Sequence, residues 1–81
     1  MPKIFEKDGY KFFFFSNEGD PLEPCHIHVR KGQNIAKFWL DPEIRLASSY
    51  GFNSKELKII EEYIRENIEK IRSKWNEYFN A

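Results

Sequence analysis

Apolar positions recur along this chain with two different periods. Up to Leu40 they mostly alternate, and from Leu57 onward they return every third or fourth residue. Alternation is the mark of half-buried strands, and the longer period marks an amphipathic helix. The clearest alternation runs from Cys25 to Asp41 on both sides of Gly32-Gln33. With a two-residue turn there, Lys31 faces Asn34. Val29 then pairs with Ala36, His28 with Lys37, Ile27 with Phe38 and His26 with Trp39. Cys25, Ile27, Val29, Ala36, Phe38 and Leu40 share one face of this hairpin. His26, His28, Arg30, Ile35, Lys37, Trp39 and Asp41 share the other. A one-residue slip would carry the polar set into the core, so the register is well specified.

A first hairpin is predicted over residues 1–15. Asp8-Gly9 separates two apolar runs, and both residues tolerate the positive φ of a type I′ turn. Pairing Lys7 with Tyr10 sets Phe5, Tyr10, Phe12 and Phe14 on one face. Ile4, Phe13 and Phe15 fall on the other, with Glu6 opposite Lys11. Both faces are thus apolar, so the second must be covered or serve as a contact surface. Ser16 to Pro24 reads as a loop, with Glu18, Asp20 and Glu23 close in sequence to the histidines. Glu43 to Ala47 alternates briefly and is a candidate fifth strand, followed by a connection from Ser48 to Phe52.

From Asn53 the period lengthens. Asn53 and Glu56 are spaced as a capping box, with Ser54 the competing cap. Leu57, Ile60, Ile64, Ile68, Ile71, Trp75 and Tyr78 or Phe79 form one stripe of a helix over residues 54–79. Unbroken from Lys55 to Phe79, it would be about 37 Å long, against roughly 20 Å for a six-residue strand. A bend near Asn67, or packing of the far end elsewhere, is therefore expected. The fold class that follows is α+β: an antiparallel sheet of four to five strands with the long C-terminal helix on one face. The helix should cover Ile27, Val29, Phe38 and Leu40.

Composition narrows the picture. At 81 residues the chain is one domain, spanning 1–81. It carries 13 basic and 13 acidic side chains, balanced in each half, so it lacks the basic excess of a general nucleic-acid binder. A single cysteine makes no internal disulfide. With no signal-peptide pattern and no apolar run beyond Phe12–Phe15, the expected setting is cytoplasmic and off the membrane.

The candidate chemistry lies on the polar face of the central hairpin. His26 and His28 are two apart on a strand and point the same way. One imidazole can accept a proton while another donates one. Arg30 and Lys37 can hold a phosphate, and Trp39 can stack a base. These are the parts of a metal-independent ribonuclease, with His26, His28 and Arg30 catalytic and Lys37 and Trp39 on nucleic acid. The same residues also make a plain solvated face, or a non-enzymatic protein-binding surface anchored by aromatics and arginine. His-x-His can supply two metal ligands, but Cys25 points to the opposite face and no further His or Cys follows downstream, so no metal and no cofactor is expected. Cys25 and Trp75 read as core.

Met1-Pro2-Lys3-Ile4, Gly9 to Gly19, His26-Ile27-His28-Val29-Arg30-Lys31-Gly32, Ala36 to Leu40 and Trp75 to Phe79 together resemble a small prokaryotic family, domain of unknown function 4160. Its characteristic element is Pro-His-x-His-Val-Arg, and Cys25 stands here in the proline position. The resemblance implies a toxin component of a toxin–antitoxin-like pair, partnered by a small antitoxin-like protein encoded nearby. By analogy with other small toxins it favours RNA as the target. A homodimer is a further expected assembly, because a chain this short buries little area alone.

Overall fold

The computed structural model describes residues 3–15 and 23–79. Five strands form one antiparallel meander in the order β1-β2-β3-β4-β5. They are β1 (Lys3–Lys7), β2 (Tyr10–Phe13), β3 (His26–Lys31), β4 (Asn34–Trp39) and β5 (Arg45–Tyr50). Two helices follow, α1 (Ser54–Glu66) and α2 (Ile68–Phe79). None is long and apolar enough to cross a membrane, among the described residues.

The hairpin registers follow the hydrophobic pattern. β3 and β4 pair from His26 with Trp39 through Lys31 with Asn34, as the alternation requires. Gly32 alone carries a positive φ at this turn, 62°, which fits type II′. Asp8 and Gly9 both have positive φ, 52° and 84°, the signature of type I′. One position departs from the reading of the first hairpin. The ladder between β1 and β2 shifts between Lys3 and Phe5, a bulge that swings Ile4 out of alternation. Ile4 then packs against the helix-side core instead of joining Phe13 and Phe15.

β5 also departs from expectation. It begins later and runs through Ser48, Ser49 and Tyr50, which the sequence reads as a connection. A second register shift, where Lys37 meets Ser48 and Phe38 meets Leu46, hides this strand. Ala47 is the extra residue, and it breaks the alternation that would otherwise extend to Tyr50. Gly51 follows with φ of 90°, and a Cβ there would lie 2.1 Å from Asn34 Oδ1, so this corner requires glycine.

Asn53 is the helix cap. Its side chain accepts from the Glu56 amide at 2.8 Å, and Glu56 accepts from the Asn53 amide at 3.1 Å. The long apolar stripe is broken once, at Asn67. There the backbone amide turns to the Ile64 carbonyl, 3.1 Å away, and the side-chain amide donates to the Tyr63 carbonyl at 2.9 Å. The break lets both halves stay on the sheet, which resolves the length mismatch. Ile60, Ile64, Ile71 and Trp75 are buried with Phe12, Phe14, Cys25, Ile27, Val29, Phe38 and Leu40.

Polar links fix the helices laterally. Arg72 donates to Asp41 Oδ1 at 2.8 Å and to the Leu40 carbonyl at 2.5 Å, tying α2 to the end of β4. Lys7 pairs with Glu66 at 3.3 Å and lies over the Tyr63 ring. Tyr63 donates to Asp8, which pushes its phenol up to about 12. Burial, with Asp41 nearby, pushes the Cys25 thiol up from 9.0 to about 11. Both groups are held in their protonated forms by folding. Their contribution is therefore complete below the unfolded values and is lost as pH rises through the folded ones. Stability to urea is expected to be flat with respect to these groups up to about pH 9 and to fall steeply toward pH 11–12. Urea titrations across that range check this, and Tyr63→Phe should flatten the upper part of the fall.

Candidate functional site

The helices cover one face of the sheet. The other carries Phe13 at the end of β2 and Phe15 beyond it, His26, His28 and Arg30 on β3, Ile35, Lys37 and Trp39 on β4, and Arg45, Ser48 and Tyr50 on β5. Strand alternation brings these side chains to one side, and the registers set their neighbours.

The two histidines are close but unlike. Their ring centroids stand 5.1 Å apart at a steep angle. His26 is fully buried and His28 is 8% exposed. Around His26 stand Trp39 at 5.4 Å and Trp75 at 5.0 Å between ring centroids. The Pro24 carbonyl oxygen lies 2.8 Å from Nδ1. A carbonyl can only accept, so Nδ1 carries a proton and is committed to the chain. The ring of His26 thus joins the start of β3 to helix α2. His28 lies flat against Phe13 at 5.7 Å and edge-on to Phe15 at 4.4 Å. These contacts cover the apolar second face of the first hairpin, where Phe13 is buried.

The cations divide between two places. Lys37 pairs with Glu23 at 3.3 Å and sits 4.2 Å over the Trp39 ring. Of the three acidic residues near the histidines in sequence, Glu23 thus reaches the face, while Glu18 and Asp20 lie outside the described residues. Arg30 stands across from Lys11 on β2. With Lys3, Lys11 and Phe13 it lines a separate shallow hollow of about 160 Å³. Arg30 and Lys37 therefore do not converge on one anion.

His28 instead opens onto a groove of about 290 Å³ shared by Phe15, Ile35, Lys37, Ser48 and Tyr50. Phe15, Ser48 and Tyr50 are the members that sequence reasoning missed as site residues. The last two were hidden by the bulge at Ala47, and their signal was the Ser-x-Tyr alternation after it. Tyr50 is 73% exposed, the most open of the large apolar side chains on this face. The groove offers one imidazole, one lysine already paired, a serine hydroxyl and an aromatic rim. Among the described residues no three of His, Cys, Asp and Glu stand together as around a metal.

A family model described as domain of unknown function (DUF4160) matches residues 9–76, which include every strand but β1 and most of the helical layer. Neither the curated proteins nor the solved structures provide a match to this chain.

Proposed function

The chain belongs to the family described as domain of unknown function (DUF4160), and from the chemistry of the sheet face that carries His28 and Tyr50 we propose that it works by binding rather than by catalysis. The occupant we propose is a small antitoxin-like protein, with this chain the toxin component of the pair, in the cytoplasm. The paired setting rests on the family resemblance alone. The observation that carries the binding reading is the burial of His26. A two-imidazole exchange of protons needs both rings at one open concavity. Here one ring is enclosed by two tryptophans and bound to a backbone carbonyl. Along the same face, Tyr50, Trp39, Phe15 and Arg45 supply the aromatic and guanidinium anchors that dominate protein interfaces.

A second reading keeps one observation of its own. His28 opens on the same groove as Lys37 and Ser48. That set could work on the phosphodiester of RNA with His28 as the lone acid–base group, Lys37 moving from Glu23 to phosphate. Arg30 would then serve backbone contacts from its own hollow, and His26 would be a positioning residue.

One experiment separates the two. The chain is expressed with and without the small protein encoded beside it, and growth, total RNA and co-purification are followed. Binding predicts growth arrest without RNA loss, relief by the neighbour protein, and at least tenfold weaker co-purification of Tyr50→Ala and Trp39→Ala. RNA loss that His28→Ala abolishes in folded protein would transfer the function to the ribonuclease reading. A harmless chain that ignores its neighbour would remove the toxin-like role.

A further inference from the structure

Among the described residues β5 pairs only with β4 and forms one edge of the sheet. All six of its residues are exposed. The two edges of the sheet are built differently. β1 carries Lys3, Glu6 and Lys7 within five residues, and charges of this kind keep a passing strand away. β5 has Arg45 at its first position and then Leu46, Ala47, Ser48, Ser49 and Tyr50, without a further charge or a proline. Leu46 is 41% exposed and Tyr50 73%.

The bulge gives this edge an unusual symmetry. Arg45 and Tyr50 are five residues apart, and in a regular strand they would face opposite ways. Because Ala47 is extra, Arg45 pairs with Trp39 and Tyr50 with Ile35, both on the face away from the helices. A two-fold axis normal to the sheet at the bulge therefore sets Arg45 of each copy beside Tyr50 of the other. It sets Leu46 beside Ser49 on the helix side. Guanidinium over phenol is a favourable cross-strand pair, and it occurs twice in such an isologous contact.

We infer that the protein forms a homodimer by antiparallel pairing of β5 with β5 of a second copy, giving a continuous sheet of ten strands. The bulge at the axis twists the strands and interrupts the ladder at its centre, so the dimer is reversible rather than permanent. The inference goes beyond the binding reading and does not depend on it. It adds one consequence for that site: Tyr50 lines the His28 groove, so Arg45 of the second copy would stand at the groove's mouth.

Sedimentation velocity between about 1 µM and 1 mM tests this. The expected result is a shift from monomer to dimer within that range. Tyr50→Ala and Arg45→Glu should each loosen the dimer about tenfold. Both positions are exposed, and circular dichroism should show both variants folded. The double variant Arg45→Glu/Tyr50→Lys places Glu beside Lys at both ends and should restore dimerisation to within about threefold. A chain that stays monomeric throughout, or a dimer indifferent to these changes, overturns the proposal. So does a double variant weaker than either single one, since that register requires rescue. The mass measurement uses no partner protein and no growth phenotype, so it fails or succeeds separately from the proposed function.

Discussion

Trp75→Ala is expected to cost about 3–5 kcal/mol, the usual loss when a large buried aromatic is cut to alanine. Trp75 is 3% exposed and meets Phe14 at 5.2 Å, Phe79 at 4.3 Å and His26 at 5.0 Å between ring centroids. Those neighbours come from just after β2, the end of α2 and the start of β3. No smaller side chain reaches all three, so little of the cavity can close. A domain of this length has a total stability of roughly 4–12 kcal/mol at the usual value per residue. The variant should therefore lose between about a quarter and all of that stability. Urea unfolding at 25 °C, read by circular dichroism, should show a midpoint far below wild type. Glu62→Ala, on the exposed side of α1, should stay within about 0.5 kcal/mol. A Trp75→Ala midpoint close to wild type would mean that α2 does not hold the strand ends together.

His26→Ala is the second large effect, expected at about 2–4 kcal/mol. The loss has two parts. Removing a fully buried ring leaves a void between Trp39 and Trp75. It also takes the hydrogen bond from the Pro24 carbonyl, and such a bond contributes about 0.5–1.5 kcal/mol. His26→Phe fills the void but still orphans the carbonyl, so it should recover part of the loss. The consequence for function is direct. Any loss of activity in His26→Ala at 37 °C is expected to follow the unfolded fraction. At a lower temperature, with the variant folded by circular dichroism, partner binding should lie within about threefold of wild type. A much larger loss in fully folded protein would give the His26 ring a contact with the ligand itself. His28→Ala removes a ring that is itself buried against Phe13 and Phe15, so it should lose stability as well as binding, and its binding is to be compared in protein that circular dichroism shows folded.

The two histidines show how far a strand pattern can be read. Parity fixed that both rings leave β3 on the same side, and the pairing of His26 with Trp39 and His28 with Lys37 followed from one turn. Depth along the strand was not legible. His26 lies at the first position of β3, near Trp75 of α2, and that neighbour comes from almost fifty residues further along the chain. Arg30 has the same parity as the histidines, yet it lines another hollow because Lys11 and Lys3 of the first hairpin stand beside it. A row of like-facing residues is thus one face in sequence and two or three sites in space.

What the sequence determined by itself was everything set by local geometry. The Asp8-Gly9 and Gly32-Gln33 turns, the central register, the capping box at Asn53 and the helical stripe each depend on residues within a few positions of one another. Period and turn chemistry are enough to specify them. The tertiary structure decided what depends on an extra residue or on a distant neighbour. Two bulges, at Ile4 and Ala47, moved residues between faces without a strong local signal, because alternation counts positions and a bulge adds one. The stripe pointed to Asn67 for a bend, but the break itself came from fitting a long helix onto a short sheet. The burial of His26 was set by Trp75 packing across the ends of the strands.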